Sequence, residues 1–579
     1  MTLSSLFGGR KSGSPLSFEV RIFKGGRWVT ETVCRSEEEA RALAKRILPN
    51  HEGVQVVREF TRPDGGIVET IVHTEMREAT GKKPIVVGTI EEAPNCEAPE
   101  DYLGFDSRQT ITRLLRQYLE EKALTASELL HNPGEMKRVM NFESLVPSAV
   151  SKVAGLQCRT TGEDAKTRRD GIYDALEQLK RKVDDATVKT AGANPKQSGF
   201  AVAMQMCEKA AGGDKGEVEY LAKVMLCRDL VNVRNLLGKV EWILELCGDG
   251  RVEPQHMAIL DGLVSDALGS TSVIQDLLGR QPSLIAALVR TMDIIEGRFE
   301  PIEREQAPAV TPILSQWLAS GQAPESRKVL MEFLRRNLAG TQKLANDPPA
   351  QREGYKTLTL RVLGDNSPLN TPEMAEALTT GYLRFLEQGG GEGRRQSIEG
   401  VQILCDAAYQ RLRYLILLSR SEAGAKEMQS LVAHASVILN TSAGLHGIVP
   451  QSVQIKPKMQ IMAALYNGLL ASGMPERERK ALADKLDDVV AEYITTSRIV
   501  EKLDDPTATL RVRASRLVQF ASADVLSSPK ARRIVRDQII GHLRQPNFDG
   551  KFVEGLNTPE EKAAALKNFY ELLARAQFM

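Results

Sequence analysis

The sequence predicts a mainly α-helical protein with a small N-terminal α+β domain of ββαββ order. Three observations support this fold class. The alternation of apolar and polar residues that is typical of half-buried strands is confined to residues 17–76. From residue 106 onward, apolar residues recur with the period of amphipathic helices. Aromatic residues make up only 5% of the chain, which favours helices packed through Leu, Ala, Val and Met.

The chain has 579 residues, which exceeds the size at which single hydrophobic cores stop growing, so we expect several units. The predicted units are a flexible tail (1–16), the ββαββ domain (17–76), an acidic, proline-containing linker (77–105), helical domain 1 (106–305) and helical domain 2 (306–579). The last boundary follows from three prolines among charged residues at 299–312. No fixed repeat period is present in the helical part, so a bundle and an irregular solenoid both stay open.

The N-terminal domain is predicted from its turns and from one helix signal. The alternating residues at 18–22, the Gly25-Gly26 turn and the residues from 28 to 33 indicate a first hairpin. Ser36 with Glu39 three residues later is a capping box, which opens a helix that Pro49 ends. A turn at residues 63–66 indicates a second hairpin.

The helical part is predicted from helix signals that follow one another closely. Thr125 and Glu128 form a second capping box, and 215–247 has helical apolar spacing throughout. Short Gly, Pro, Asn and Asp clusters separate the predicted helices, so we expect helices adjacent in sequence to pack antiparallel.

Composition excludes several classes of protein. The formal net charge is +1, from 76 basic and 75 acidic residues, so no overall field attracts the chain to a polyanion or a membrane. Seven cysteines without a C-x-x-C pair argue against a disulfide framework and a zinc site, and favour a reducing, cytoplasmic location. No signal-peptide pattern and no apolar run of ~20 residues are present, so we expect no membrane span.

Two short motifs were considered for ligand chemistry. Glu253-x-x-His256 has the spacing of two metal ligands on one helix, but no second copy exists, so we favour a first-turn acid and a surface histidine. Residues 389–395 combine glycines with Arg394 and Arg395, which are candidate anion contacts. A helix precedes these glycines where a nucleotide loop needs a strand, so we favour a helix-to-helix loop. We predict no catalytic residue, cofactor or metal.

The clearest basic segment lies at residues 511–536. Its candidate contact residues are Arg511, Arg513, Arg516, Lys530, Arg532, Arg533 and Arg536. Only Phe520 is near enough to stack on bases, so a solvated face or an acidic protein partner is favoured over a nucleic acid. Trp28 is a further candidate partner contact, although a core position is favoured for it.

These patterns favour a non-enzymatic intracellular scaffold or regulatory adaptor. The small sheet domain and an extended helical surface would each bind a protein partner, and self-association is compatible with the exposed strand edges. Two alternatives stay open. One is an enzyme whose site is assembled from scattered residues in a cleft between helices, such as Cys207, Arg228, Glu253 and His256. The other is a nucleic-acid-associated protein that uses the basic segment.

Overall fold

The computed structural model describes residues 16–24, 27–48, 51, 53–61, 67–76, 85–248, 252–386, 391–522 and 525–576. The chain forms two compact units, residues 1–86 and residues 87–579. The predicted tail up to residue 15 and the turns at residues 25–26 and 63–66 lie outside the described residues. The fold class is confirmed, because the structure is mainly α-helical with a small four-stranded sheet at the N-terminus.

The N-terminal unit is a four-stranded antiparallel sheet with one helix. Its elements are β1 (Leu16–Lys24), β2 (Arg27–Cys34), α1 (Glu37–Ile47), β3 (Gly53–Thr61) and β4 (Ile67–Met76). The strand order is β2-β1-β3-β4, so the first strand of each hairpin is central. Val20 pairs with Val56 and Ile22 with Val54, which places the β-branched residues of both central strands on one face.

The core of this unit lies between that sheet face and α1. Val20, Val54 and Val56 are fully buried together with Ala40 and Ala44 of the helix. The Ser36 side chain accepts a hydrogen bond from the backbone N–H of Glu39 at 3.2 Å, as the predicted helix start requires. The small helix residues allow α1 to approach the sheet closely.

The second unit begins with thirteen described helices whose buried residues are mainly apolar. They are α2 (Phe105–Leu114), α3 (Arg116–Lys122), α4 (Ala126–His131), α5 (Pro133–Met140), α6 (Leu145–Thr161), α7 (Ala165–Lys189), α8 (Pro195–Ser198), α9 (Phe200–Ala211), α10 (Lys215–Leu230), α11 (Leu236–Cys247), α12 (Pro254–Leu268), α13 (Thr271–Leu278) and α14 (Leu284–Ile295). Two 3₁₀ turns occur at Pro99–Leu103 and Glu303–Glu305.

The remaining helices follow without a strand among the described residues. They are α15 (Val310–Ala319), α16 (Pro324–Ala339), α17 (Pro348–Val362), α18 (Pro372–Leu386), α19 (Gly391–Leu404), α20 (Ala408–Leu418), α21 (Glu422–Lys426), α22 (Met428–Thr441), α23 (Gly444–Ile448), α24 (Ile455–Leu470), α25 (Glu476–Thr496), α26 (Ile499–Leu503), α27 (Leu510–Phe520), α28 (Pro529–Leu543), α29 (Phe548–Phe552) and α30 (Pro559–Arg575).

Packing changes character along this unit. In the first half, α12 contacts α2, α4, α11 and α16, so helices distant in sequence share one core. In the second half, contacts run in short steps, from α18 to α20, α20 to α22, α22 to α25 and α25 to α28. The first half therefore resembles a bundle, and the second half has the local packing of a helical array.

Helices on both sides of the proline-containing segment 299–312 are in contact, because α14 packs against α15, α16 and α17. The position of the boundary between the two helical domains therefore stays a prediction.

The second half of the predicted linker lies against the helices. Gly88 N–H donates to the Leu114 carbonyl at 2.8 Å, and the side chains of Gln157 and Arg168 donate to the carbonyls of Pro94 and Cys96.

A buried ion pair joins the helices of the first half. The Arg108 side chain of α2 is 2% exposed and donates to Asp266 of α12 at 3.0 Å and to Glu325 of α16 at 2.5 Å. Asp266 also accepts the backbone N–H of Ser127 at 2.8 Å, so it caps α4. Burial disfavours the charged guanidinium, but Asp266 and Glu325 outweigh that cost and raise the pKa of Arg108. One arginine thus fixes α2, α12 and α16 relative to each other.

A neutral histidine lies close to this ion pair. His131 at the end of α4 is buried, its Nδ1 donates to the Ser127 carbonyl at 2.8 Å, and its Nε2 has no partner among the described residues. Burial and the nearby Lys223 charge lower the pKa of His131 to about 3. The ring is therefore uncharged at neutral pH.

The Arg108→Ala substitution is expected to destabilise the protein by about 3–5 kcal/mol, because it leaves two carboxylates near the core without their cation. Lys328→Ala removes an exposed ion pair with Asp106 and is the matched control, with an expected loss of about 0–1 kcal/mol. Urea unfolding followed by circular dichroism measures both. Equal effects for the two substitutions would show that the buried pair does not hold the helices together.

Acidification is expected to destabilise the protein through His131. Below pH 6.5 the unfolded chain takes up a proton that the folded ring accepts only near pH 3, so stability falls across this window by at most about 1.4 kcal/mol per pH unit. His131→Asn keeps an N–H near the Nδ1 position but does not titrate. The unfolding free energy of this variant should therefore depend less steeply on pH than that of the wild type. An equal pH dependence of the unfolding free energy in both proteins would contradict the burial effect.

Candidate functional site

A cleft of about 840 Å³ lies in the first half of the helical unit. Its walls are α2, the start of α3, α16 and the start of α18, and residues 92–94 line its rim. This volume is typical of ligand-binding sites. Because Arg108 ties α2 to α16, the buried ion pair also fixes the two main walls of the cleft.

Basic side chains dominate the cleft. Its charged lining residues are Arg113, Arg116, Arg327, Lys328, Arg335 and Arg336, against Glu92, Asp106, Glu332 and Glu373. The cleft therefore concentrates an excess of two positive charges in a chain whose formal net charge is only +1. We call this surface the arginine cleft.

Three arginines of the arginine cleft share one carboxylate. Arg335 binds Glu332 through two hydrogen bonds of 2.6 and 2.8 Å, Arg336 approaches the same carboxylate at 3.5 Å, and Arg113 of α2 approaches it at 4.0 Å. Burial opposes the ionisation of Glu332, but the arginines outweigh it and lower the pKa of this residue. Glu332 is the carboxylate that all three guanidiniums approach, and the charges of Glu376 and Glu373 also act on Arg335. Counted over the whole lining, basic side chains still exceed acidic ones by two.

The pKa of Arg336 is lowered mainly by burial and, to a smaller extent, by the neighbouring cations. Partial burial and the charges of Arg113, Arg335 and Arg116 lower it, against the opposing effect of Glu332. An arginine remains charged in proteins, so the shift measures unfavourable electrostatic energy rather than deprotonation. An added anion would relieve that repulsion.

Arg327 contributes a second unsatisfied group. Its Nη2 donates to the Leu318 carbonyl, whereas its Nε is buried without a partner among the described residues. A buried donor that lacks an acceptor costs free energy. Lys328 lies nearby, 4.4 Å from the ring centre of Phe105.

The basic segment 511–536 is partly neutralised within the chain. Arg513 Nε donates to Asp504 at 2.6 Å, and the same carboxylate contacts His542 Nε2 at 2.7 Å. The Lys530 ammonium lies 2.5 Å from Asp488. These two cations therefore serve helix packing and helix-end contacts.

The other basic residues of this segment have different surroundings. Arg532 donates to the carbonyl of Ala576, and Arg511 has one buried guanidinium nitrogen without a partner among the described residues. The exposed members are Arg516, Arg533 and Arg536. The structure thus divides the predicted patch into buried, paired and exposed positions.

The remaining candidate contacts are in separate places. Trp28 is half-buried in β2 and packs edge-on against Phe23 with 5.1 Å between ring centres, on the face opposite α1. The predicted loop at 389–395 is wrong for its described part, because α19 begins at Gly391 and includes both arginines. Arg394 is half-buried, and Arg395 binds the buried Glu427 at 3.0 Å.

The prediction of a surface histidine at position 256 is wrong. His256 is buried, packs against Phe200, and contacts Glu208 at 3.2 Å rather than Glu253, which caps α12. The sequence motif did not reveal Glu208, because that carboxylate comes from α9. No group of three or more His, Cys, Asp or Glu side chains suited to a metal ion occurs among the described residues.

Burial keeps the thiols of Cys207, Cys227, Cys247 and Cys405 protonated at neutral pH. It raises the pKa of Cys207 to about 11, those of Cys247 and Cys405 to about 12, and that of Cys227 well above its ordinary value. Arg228 donates to the carbonyls of Thr190 and Ala193, so it holds a helix end. Neither Cys207, Arg228, Glu253 nor His256 lines the arginine cleft.

The sequence did not predict the arginine cleft, because the basic side chains of the cleft are spread over three helices. Arg113 and Glu332 are more than two hundred residues apart, and Arg335-Arg336 follows Glu332 as an ordinary charged helix face. The adjacent arginine pair was the only local signal. This arginine pair belongs to a cleft only because α2 packs against α16, and no local sequence pattern encodes that packing.

Comparison with known proteins gives no identification. No protein-family model, curated protein or solved structure matches the chain. In the part of the chain that the structure describes, no single helix has the length and apolar character needed to cross a membrane. The successive helices α12 and α13 reach that length and composition only together, and they are bent by 95° at their junction.

Glu332→Gln is expected to destabilise the protein by about 1–2 kcal/mol, because it removes the negative charge that three guanidiniums share. Arg336→Gln lowers the repulsion and is the matched control, with an expected change within about 0.5 kcal/mol. Urea unfolding at low salt measures both changes. At about 1 M salt, screening should reduce the difference between the unfolding free energies of the two variants. A loss for Arg336→Gln as large as that for Glu332→Gln would refute the excess of positive charge.

Proposed function

We propose that this protein is a non-enzymatic adaptor that binds protein partners, and that the arginine cleft receives an acidic or phosphorylated segment of one partner. The observation that carries this proposal is the group of Arg113, Arg335 and Arg336 around the single carboxylate of Glu332. Guanidinium groups bind carboxylates and phosphates through paired hydrogen bonds, and arginine clusters recur in the recognition of such segments.

The apolar part of the cleft supports a peptide segment over a free inorganic anion. Phe105, Val329, Met331 and Met374 line the cleft together with its arginines. A peptide presents acidic and apolar side chains in alternation, so it matches both kinds of lining, and methionines adapt to varied apolar partners.

The chemical character of the lining supports binding over catalysis. The residues that line the cleft include no histidine, cysteine or serine. Two of its acidic members are held by cations, Glu332 by Arg335 and Asp106 by Lys328. Such groups provide charge and orientation but lack the nucleophile and base of the usual catalytic pairs.

The nucleic-acid alternative depends on the basic segment 511–536. Arg513 and Lys530 are held by Asp504 and Asp488, which reduces the positive charge available to phosphates. The exposed Arg516 and Arg533 still give this alternative a defined site. The alternative is therefore a distinct outcome of the same binding experiment.

The N-terminal unit is proposed as a second docking module. Its outer strands β2 and β4 each have one neighbour in the described sheet, and a partner strand can pair with such an edge. Val33 and Ile71 are exposed on these strands and would contact that partner. A cytoplasmic location belongs to the proposal, and the free state of all seven cysteines supports it.

Fluorescence anisotropy of a labelled short peptide of alternating Glu and Leu tests the cleft. The full chain should bind this peptide, with affinity falling as salt rises, and should bind the Gln/Leu version at least about tenfold more weakly. Replacing both Arg113 and Arg336 by Ala should weaken binding by about tenfold or more, since each supplies a charged hydrogen-bond donor.

Arg533→Ala is the matched control for this experiment, because it removes one exposed arginine outside the cleft. It should leave peptide affinity unchanged. Equal binding of the acidic and neutral peptides, or loss of binding in Arg533→Ala alone, would overturn the cleft assignment. Tighter binding of a labelled oligonucleotide that Arg533→Ala abolishes would favour the nucleic-acid alternative.

A further inference from the structure

A second cavity, independent of the proposed function, lies beneath the segment that precedes α2. Its volume is about 130 Å³. Side chains from α2, α4, α5, α6 and α7 surround it, and residues 94–102 pass over it. Its walls are almost entirely apolar, with Leu114, Leu130, Val139 and Val150 among the buried residues that form them.

Three polar side chains at this cavity, those of Ser107, Thr110 and Gln157, have hydrogen-bond partners. Ser107 Oγ donates to the Asp101 carbonyl at 2.7 Å, and Thr110 Oγ1 donates to the Asp106 carbonyl at 2.8 Å. The amide of Gln157 is also satisfied, since its Nε2 donates to a backbone carbonyl and its Oε1 accepts from Arg168 at 2.7 Å. The interior therefore offers little to hold a water molecule, which needs two or more polar partners.

Size and chemistry together define the occupant. An engineered apolar cavity of about 150 Å³ in another protein stays dry and binds benzene, so a space of about 130 Å³ suits a molecule of similar size. We propose that this cavity is a binding site for a small uncharged apolar ligand, either a single aromatic ring or a short alkyl group.

The covering segment is anchored at defined points. Gln157 and Arg168 donate to the carbonyls of Pro94 and Cys96, and Asp101 accepts the backbone N–H groups of Glu97 and Ala98 at 2.8 and 2.9 Å. These bonds hold the segment in place over the cavity, and the Cys96 thiol adds contacts to the Pro94 carbonyl at 3.6 Å and to Ser107 Oγ at 3.4 Å. Burial of Cys96 and Tyr102 on its inner side completes the apolar wall.

Benzene is the probe for the test, with the full chain as the protein. Saturating benzene should raise the Tm by about 1–2 °C, because it binds the folded chain and not the unfolded one. Val150→Phe places a ring in the cavity and should abolish this rise. Phenol at the same free concentration should give a smaller rise, since moving its hydroxyl from water into a mainly apolar cavity costs free energy.

A second variant keeps the test decisive if Val150→Phe folds poorly. Leu130→Ala enlarges the cavity and should increase the Tm rise caused by benzene, as larger voids in apolar cores accept such ligands. Arg113→Ala alters only the arginine cleft and should leave the benzene effect unchanged, which separates this site from the proposed function. No Tm rise in the wild-type chain, an equal rise with phenol, or a rise that persists in a folded Val150→Phe protein would each overturn the proposal.

Discussion

The buried pair of Arg108 and Asp266 is the constraint on which the first half of the helical unit depends. Both side chains are almost fully buried, and the guanidinium also reaches Glu325 and the Leu103 carbonyl. Asp266 in turn caps α4. A charge in this position is tolerated only when all its donors are satisfied, so the pair requires one arrangement of α2, α4, α12 and α16.

That arrangement brings separate charges together on the surface. Arg113 lies little more than one turn after Arg108 on α2, and Glu332 lies two turns after Glu325 on α16. The pair that fixes these helices therefore also sets the distance between Arg113 and Glu332 across the arginine cleft. Three arginines around one carboxylate leave electrostatic energy that a negatively charged partner relieves. If the cleft binds an acidic segment as proposed, stability and binding depend on the same two helices.

Local patterns predicted the elements better than the site. The capping box at Ser36 and the alternation around Val20 fixed the start of α1 and the central strands, because strand and helix signals lie within a few residues. The predicted helix over 215–247 is instead two helices, since Asn235 accepts the N–H of Gly238 and starts α11 anew. The cleft depends on packing between α2 and α16, and the contact that His256 makes is with a carboxylate from α9. Both are contacts between segments distant in sequence, so the periodicity of the sequence predicted neither of them.

Hydrogen exchange measured by mass spectrometry tests the central claim most directly, with the acidic Glu/Leu peptide present and absent. The pair of Arg108 and Asp266 positions the cleft, and the cleft carries the excess positive charge. We therefore expect backbone amides in 105–122 and 324–339 to exchange more slowly when the peptide is bound. Exchange in 510–543 should be unchanged. Protection confined to 510–543, or to helices around His256 and Cys207, would contradict a function based on the arginine cleft.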